Sequence, residues 1–305
     1  MHKLCTKSVI PVYARHETDM EESGRMDAER RFEEMKRRAF SHPTLMDDVP
    51  FTVAVRRSMA LAQLIIRTTL SQEDLVVTDV QCQEKVPGIG HKGVVFDALC
   101  FDGCGNMYDV EVQKGHFEDL PKRAAFYEAM LTVHSLGAGG RNYGRMPKRV
   151  VIFICDGDVE KRGEAVYDYS RRSADGRMLG DGGRIVFVNG EYRADDAIGR
   201  LMADMDQSDP ERAFNEEVRE SLTMLAGEEG LKEMSDEMEK ILDEVFREGE
   251  ASGKAEGEKI GETRSKAELA ARMLKDGRYT LDEIVNITGL SAEQVGEATA
   301  KYGDK

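Results

Sequence analysis

The chain has 305 residues, of which 40% are hydrophobic and 33% are charged, and its formal net charge is −15. It contains no run of the roughly 18 apolar residues that a membrane span requires, and its polar first residues lack the apolar core of an export signal. We therefore expect a cytoplasmic protein without membrane attachment. The five cysteines, an odd number spread along the chain, argue against a framework of disulfides.

Negative charge is concentrated in one segment of the chain. Residues 201–262 contain 20 Asp and Glu side chains but only 7 Lys and Arg side chains. Because the remainder of the chain is close to neutral, the overall acidity does not exclude nucleic acid as a ligand of that remainder.

The predicted elements follow a polar arm, residues 1–37. The apolar residues of 53–70 recur at helical spacing and predict one helix. Residues 74–82, 93–102 and 107–113 are instead rich in β-branched and aromatic side chains, and turn-forming segments separate them. They predict three strands in succession.

The next segments alternate between the helical and the extended pattern. Residues 122–136 predict a helix, and a loop rich in Gly and Arg covers 137–147. Strands are predicted over 149–157 and 184–192, the first of them apolar enough to be buried on both faces.

From about residue 206 the composition changes. Residues 206–262 predict a polar, Glu-rich helical extension. Over 249–264 Gly recurs every three or four residues, which weakens a helix by about 1 kcal/mol per Gly and favours a helical or frayed connector.

Residues 263–305 predict a small helix-turn-helix-like tail of three helices. A glycine turn after Asp276 ends the first helix, and the side chains of Thr280 and Ser291 cap the other two. The exposed positions of this tail are mainly acidic or neutral, so we favour a protein-interaction or spacer role over DNA contact.

The strongest chemical signal lies in the two strands around the turn sequence DGCGN. If residues 102–106 form the loop, Phe101 pairs with Met107, and the same register places Asp97 opposite Glu111. Facing side chains of antiparallel strands have Cβ atoms about 4.5–5.5 Å apart. The sequence therefore predicts two carboxylates in contact.

Strand alternation indicates which residues share a face with these carboxylates. On the third strand Glu111 points to the same side as Asp109 and Gln113. On the second strand Asp97 shares its face with three apolar residues, Val95, Leu99 and Phe101. A charge in such a setting is costly unless it is paired.

A divalent cation between Asp97 and Glu111 would relieve their repulsion. Mg²⁺, or Mn²⁺ in its place, suits two carboxylates together with waters and a phosphate oxygen. Such an ion polarises a phosphate and lowers the pKa of a bound water, and Gln113 would orient that water or a phosphate oxygen. The alternative interpretation is an ordinary solvated sheet face.

The order FD-x13-EVQ, followed by a helix that carries Arg123 and Tyr127, resembles the PD-(D/E)XK nuclease family transposases, relatives of the recombination-promoting nucleases. The likeness continues through NYGRMPKRVVIFICDGDV, LGDGGRIVFVNGEY and IGRLMADMDQSDPE and covers most of residues 38–305. It implies an α/β fold with a restriction-endonuclease-like core, in which helices flank a mixed β-sheet, and an acidic helical C-terminal extension.

The resemblance also assigns roles to the central residues. Asp97 and Glu111 match the two acidic, metal-holding positions of the family, and the implied activity is the cutting of DNA with Mg²⁺. Gln113 stands where the wider superfamily has a lysine. Lys114 is adjacent, but in a regular strand it points to the opposite face, and only a bulge would bring it round.

Further candidates surround this centre. Asp47 and Asp48 are candidates for an additional acid, or else they form the N-terminal cap of a helix. Phosphate or DNA contacts are expected of a helix pattern and of a basic loop: Lys122, Arg123 and Tyr127 in the first, and Arg141, Arg145, Lys148 and Arg149 in the second. An exposed amphipathic helix and a solvated loop are the alternatives.

We therefore expect a polar arm over 1–37, a nuclease-like domain over 38–205, an acidic extension over 206–262 and the small tail over 263–305. The expected function is a Mg²⁺-dependent DNA endonuclease of mobile-element type, which hydrolyses phosphodiesters with metal-activated water and is compatible with a homodimer. The alternatives are a catalytically degenerate nuclease fold that binds DNA or protein, and an adaptor whose acidic tail is the working part.

Overall fold

The structure is a computed structural model that describes residues 40–88, 93–115, 117–136 and 142–302. The chain divides into two compact units, Met1–Met238 and Glu239–Lys305. No single helix of the described residues is both long and apolar enough to cross a membrane, and only the first two helices taken together, across a bend of 109°, reach that length and composition.

Two helices, not one, cover residues 48–70. Helix α1 covers Asp48–Arg57 and α2 covers Met59–Leu70, so the prediction of a single helix over 53–70 is wrong. Ser58 between them is extended, with φ −129° and ψ 92°, and its side chain accepts a hydrogen bond from the N–H of Leu61. The serine therefore ends one helix and caps the next, although the apolar spacing continues across it.

A six-stranded mixed sheet forms the centre of the first unit, and its order is β1-β2-β3-β4-β6-β5. The strands are β1 (Val77–Val86), β2 (Val94–Asp102), β3 (Met107–Gln113), β4 (Arg149–Cys155), β5 (Val166–Ser170) and β6 (Gly183–Val188). The first three are antiparallel neighbours. Strands β3, β4 and β6 run parallel, and β5 is antiparallel to β6 at the edge.

Helices cover both faces of this sheet. Helix α3 (Leu120–Leu136) packs on one face, and α1, α2, α4 (Ala197–Met205) and α5 (Glu216–Ala226) pack on the other. Strands β3 and β4 are buried at every position, as the run of apolar residues in β4 predicts. The α/β class with a mixed sheet flanked by helices is thus confirmed. Strand β5 was not predicted.

A long helix, α6 (Glu228–Asp276), begins in the first unit and continues through 249–264 without a break. In the second unit it is followed by α7 (Leu281–Thr288) and α8 (Ala292–Tyr302). The predicted caps are present: Thr280 forms a capping box with Glu283, and the Ser291 hydroxyl accepts from the N–H of Gln294. A small apolar cluster holds these helices together: Ala270, Met273, Ile284, Leu290 and Val295.

Candidate functional site

The hairpin of β2 and β3 has the register that its loop length predicts, with Phe101 opposite Met107 and Ala98 opposite Val110. Beyond the pair of Ala98 and Val110, hydrogen bonds from the backbone to side chains replace the regular backbone hydrogen bonds between the two strands. The backbone N–H of Asp97 donates to Glu111 Oε1 at 2.9 Å, and the N–H of Val112 donates to Asp97 Oδ2 at 3.4 Å. Each carboxylate thus accepts a hydrogen bond from the backbone of the other strand, and these two bonds place Asp97 and Glu111 side by side.

Strand β2 is irregular at Asp97. Phe96 and Leu99 belong to the same apolar cluster under α3, whereas strict alternation would put them on opposite faces. Gln83 lies across from Asp97 in β1, with φ +56°, and its Nε2 is 3.4 Å from Asp97 Oδ1 and donates to Thr52 Oγ1 at 3.2 Å. The predicted regular alternation around Asp97 is therefore wrong, because both strands deviate at this pair.

Asp109 is a third acid of this region, fully buried, which the sequence placed beside Glu111 without assigning it a role. It is 0% exposed, and neither of its carboxyl oxygens has a hydrogen-bond partner among the described residues. Three polar residues at every second position of an otherwise apolar strand were the signal for it. We call Asp97, Asp109 and Glu111 the acidic cluster.

Burial dominates the electrostatics of the acidic cluster. Burial and, second, the charge of Asp48 raise the pKa of Asp97 to about 7. Burial followed by the charge of Asp97 holds the pKa of Asp109 and of Glu111 well above the usual carboxyl range. The cluster therefore favours bound protons, or another positive charge in their place.

Helix α3 presents Arg123 and Tyr127 to the acidic cluster. Arg123 Nη2 donates to Gln113 Oε1, and its guanidinium carbon lies 5.3 Å from the centre of the Phe153 ring. The ring of Tyr127 packs against Phe153 at 5.7 Å between centroids, and burial raises its pKa, so the hydroxyl stays protonated. Lys122, one residue before Arg123, is exposed to solvent.

The amide of Gln113 is engaged at both ends. Besides accepting from Arg123, it donates through Nε2 to the carbonyl oxygens of Lys114 at 3.1 Å and Gly115 at 2.6 Å. An amide nitrogen has two N–H donors, and both are used here. In this structure Gln113 therefore has no donor left for a phosphate oxygen, contrary to the expected orienting role.

A cleft of about 220 Å³ opens beside the cluster, lined by Met46, Asp47, Asp48, Val112, Gln113 and Lys114. Strand β3 ends at Gln113, and the Nζ of the next residue, Lys114, lies 2.5 Å from Asp47 Oδ1. Burial, followed by the charge of Asp47, raises the pKa of Asp48. Lys114 thus pairs with the α1 side of the sheet, while Gln113 meets Arg123 on the α3 side, which agrees with the opposite faces that strand alternation predicts for these two residues.

Asp47 occupies the N-cap position of α1, but its side chain makes no capping hydrogen bond. Its carboxylate instead accepts from the hydroxyl of Thr44 at 2.8 Å and pairs with Lys114. A plain helix cap therefore does not explain the Asp47-Asp48 pair, since one of them binds a lysine and the other contributes charge beside Asp97.

The basic loop lies away from the cleft. In the parallel pair of β3 and β4, Met107 is opposite Arg149 and Gln113 is opposite Cys155, so the two ends of β3 are about 20 Å apart at roughly 3.3 Å per residue. Arg145 and Lys148 are exposed just before β4, at the end opposite Gln113. Arg141 lies outside the described residues.

Arg149 does not belong to a solvated basic loop. It is 1% exposed, and its guanidinium donates to the carbonyl oxygens of Pro147 at 2.6 Å and Asp181 at 2.9 Å and to Thr132 Oγ1 at 2.9 Å. It is also 3.7 Å from the buried carboxylate of Glu128. The expectation that Arg149 follows a DNA backbone is therefore wrong, because it holds the fold together.

The chemistry of the site fits a hard divalent cation. Its donors are carboxylate oxygens, which Mg²⁺ prefers, and the two unpartnered oxygens of Asp109 lie buried beside Glu111. Among the described residues, however, no three His, Cys, Asp or Glu side chains form a ready-made metal-binding group. In comparisons with known proteins, no family model, no curated protein and no solved structure matches this chain.

Proposed function

We propose that the chain is a DNA endonuclease that depends on Mg²⁺ or Mn²⁺, with Asp97 and Glu111 as the carboxylates that hold the ion. The observation that carries this proposal is that half-buried Asp97 and buried Glu111, on neighbouring strands, each accept a hydrogen bond from the backbone of the other strand. Buried like charges are costly, and an ion of opposite charge offsets that cost.

The surrounding residues support phosphodiester chemistry. Asp48 adds a carboxylate at the cleft, and Lys114 offers a positive charge there that can attract a phosphate. When bound, the ion would lower the pKa of a water and polarise the phosphate. The chain's own part is to hold the carboxylates in fixed positions and to place cationic side chains against the nucleic acid.

The finer assignment of the fold rests on the same reasoning. A restriction-endonuclease-like core is supported by the antiparallel hairpin that carries both acids and by the parallel strands that follow it. The relation to transposase-associated nucleases, the acidic extension over 206–262 and the assembly into a homodimer belong to this proposal.

A second function is favoured by two observations: the acids do not form a ready-made metal group among the described residues, and Gln113 has both N–H donors engaged. These would fit a degenerate nuclease fold that binds DNA or protein without cutting. Such a protein would bind DNA equally well with Asp97 replaced by Asn.

Incubation of supercoiled plasmid with the purified full chain separates the two functions. We expect nicking with Mg²⁺ or Mn²⁺, none with EDTA, and loss of nicking in Asp97→Asn and Glu111→Gln. Asp175→Asn is the matched control, because Asp175 is an exposed acid in the turn between β5 and β6. Equal cutting by Asp97→Asn and the wild type would reveal a contaminant and reject the proposal.

A further inference from the structure

We propose that Arg123 supplies the fixed positive charge of the candidate site and that Gln113 is its positioning residue. This inference rests on the nuclease function proposed above. By its resemblance to nucleases, the sequence places Gln113 where the wider superfamily has a lysine. Here the positive charge instead comes from Arg123 on α3, and Gln113 on β3 holds that side chain in position.

The hydrogen bonds of Gln113 show which task it performs. Its Nε2 is fixed by the carbonyl oxygens of Lys114 and Gly115, which orients the amide so that Oε1 faces Arg123. Gly115 has φ +55°, a conformation that favours glycine. The turn after β3 therefore anchors the amide, and the amide in turn anchors the guanidinium.

Arg123 is held on its other sides as well. Its guanidinium lies over the ring of Phe153, an arrangement that suits a flat delocalised cation. Its Nε is buried and has no hydrogen-bond partner among the residues that the structure describes. The same charge lowers the pKa of Asp97 and of Asp48 against the larger effect of burial.

Fixing Arg123 matters because its charge acts on two nearby acids, Asp97 and Asp48. A guanidinium free to move would pair with Asp97, and it would then neutralise a metal-holding carboxylate and withdraw from the substrate. Held by Gln113, the guanidinium keeps donors for a phosphate oxygen of the nucleic acid. A lysine at residue 113 would lose the acceptor for Arg123 and place a second cation against it.

The test is a double-mutant cycle in the full chain with Arg123→Lys, Gln113→Ala and both together. Two quantities are measured: single-turnover cleavage with Mg²⁺, and affinity for a labelled DNA duplex in EDTA. We expect each single variant to lose about 10- to 100-fold in cleavage and the double variant to lose no more than Arg123→Lys alone, because Gln113 acts through Arg123.

Two further variants sharpen the test. Gln113→Lys should cleave about tenfold more slowly than the wild type. Arg123→Ala should recover part of its activity in millimolar guanidinium when Gln113 is present and not when it is Ala. Arg200→Lys is the control, since Arg200 pairs with Asp195 on the surface of α4. Circular dichroism and thermal unfolding check that each variant is folded.

Each outcome decides between the two proposals. Additive losses, faster cleavage by Gln113→Lys, or guanidinium rescue that does not require Gln113 would overturn this inference and leave the nuclease proposal intact. If the wild type binds DNA without Asp97-dependent cleavage, the nuclease proposal fails, and the cycle on DNA affinity alone then decides the role of Arg123. If the wild type neither cuts nor binds DNA, both proposals fail.

Discussion

The fold of the first unit buries the carboxyl group of Asp109 completely, which is energetically unfavourable for an acidic side chain. This carboxyl group is without a hydrogen-bond partner among the described residues, and it lies within the same cluster as Asp97 and Glu111. Burying an unpaired carboxylate costs several kcal/mol, so such groups usually stay protonated or bind a cation. The raised pKa values of all three acids express this cost.

We therefore expect the stability of the protein in EDTA to fall as the pH rises. The Asp97 carboxyl loses its proton near pH 4 in the unfolded chain but at about 7 in the native state. Between these values the native state binds more protons than the unfolded state, so the unfolding free energy decreases with rising pH. Its contribution to the slope is at most about 1.4 kcal/mol per pH unit.

Urea unfolding of the wild type and of Asp97→Asn, at several pH values across that window, measures the effect. The substitution should flatten the slope, because the amide does not titrate, whereas Asp175→Asn should leave it unchanged. Carboxyls that do not interact with Asp97 contribute equally to both proteins and cancel in the comparison, whereas removal of the Asp97 charge also lowers the pKa values of Asp109 and Glu111. Parallel curves for Asp97→Asn and the wild type would contradict the raised pKa.

At the scale of elements, the sequence predicted the features that are set by residues close together in the chain. The register of β2 with β3 follows from the length of one loop, and the caps at Thr280 and Ser291 follow from local side chains. The break at Ser58 could not be predicted, since the apolar spacing runs through it. Strand β5 was missed because it is a short edge strand with polar positions.

The features of the candidate site likewise divide into those set by local sequence and those set by tertiary packing. Facing carboxylates were predictable from the hairpin, because a shared register needs no knowledge of the tertiary structure. The deviation at Gln83, the burial of Asp109 and the pairing of Lys114 with Asp47 depend on packing between distant segments. None of these has a signature within a short stretch of sequence, so the sequence predicted the pair of acids but not its surroundings.

The glycines of α6 give a prediction at this scale. A Cβ added at Gly249, Gly253, Gly257 or Gly261 meets nothing within 4 Å. Ala favours a helix over Gly by about 1 kcal/mol, so Gly253→Ala should raise the unfolding free energy of the second unit by up to that amount. At Gly199 an added Cβ would be 1.9 Å from the carbonyl oxygen of Ala194, and Gly199→Ala should therefore destabilise the first unit.

Urea unfolding followed by circular dichroism measures both substitutions. Sedimentation of the same samples should show no change in mass. A loss of stability in Gly253→Ala would contradict the prediction and would show that another surface packs against these glycines in solution.

At the scale of the whole molecule, the boundary between the two units falls inside α6, between Met238 and Glu239. The first turns of this helix belong to the first unit: Met234 is 0% exposed, and Glu237 Oε2 lies 2.9 Å from Arg56 Nη1. The acidic segment over 206–262 is therefore not one uniform extension, because part of its charge pairs with the arginines at the end of α1.

A pair of truncations tests this division. A chain that ends at Met238 keeps Met234 and the ion pairs of Arg56 and Arg57, so its unfolding free energy should match that of the first unit in the full chain. A chain that ends at Gly227 loses those pairs and the buried Met234. Removing a buried side chain of this size costs about 2–5 kcal/mol, so this shorter chain should unfold at lower urea.

Circular dichroism in urea compares both truncations with the full chain, and the plasmid assay measures their activity. Because the acidic cluster and the cleft lie wholly within the first unit, the longer truncation should retain any Asp97-dependent nicking. Equal stability of the two truncations would show that residues 228–238 contribute nothing to the first unit. Loss of nicking in a fully folded longer truncation would place a necessary part of the activity beyond Met238.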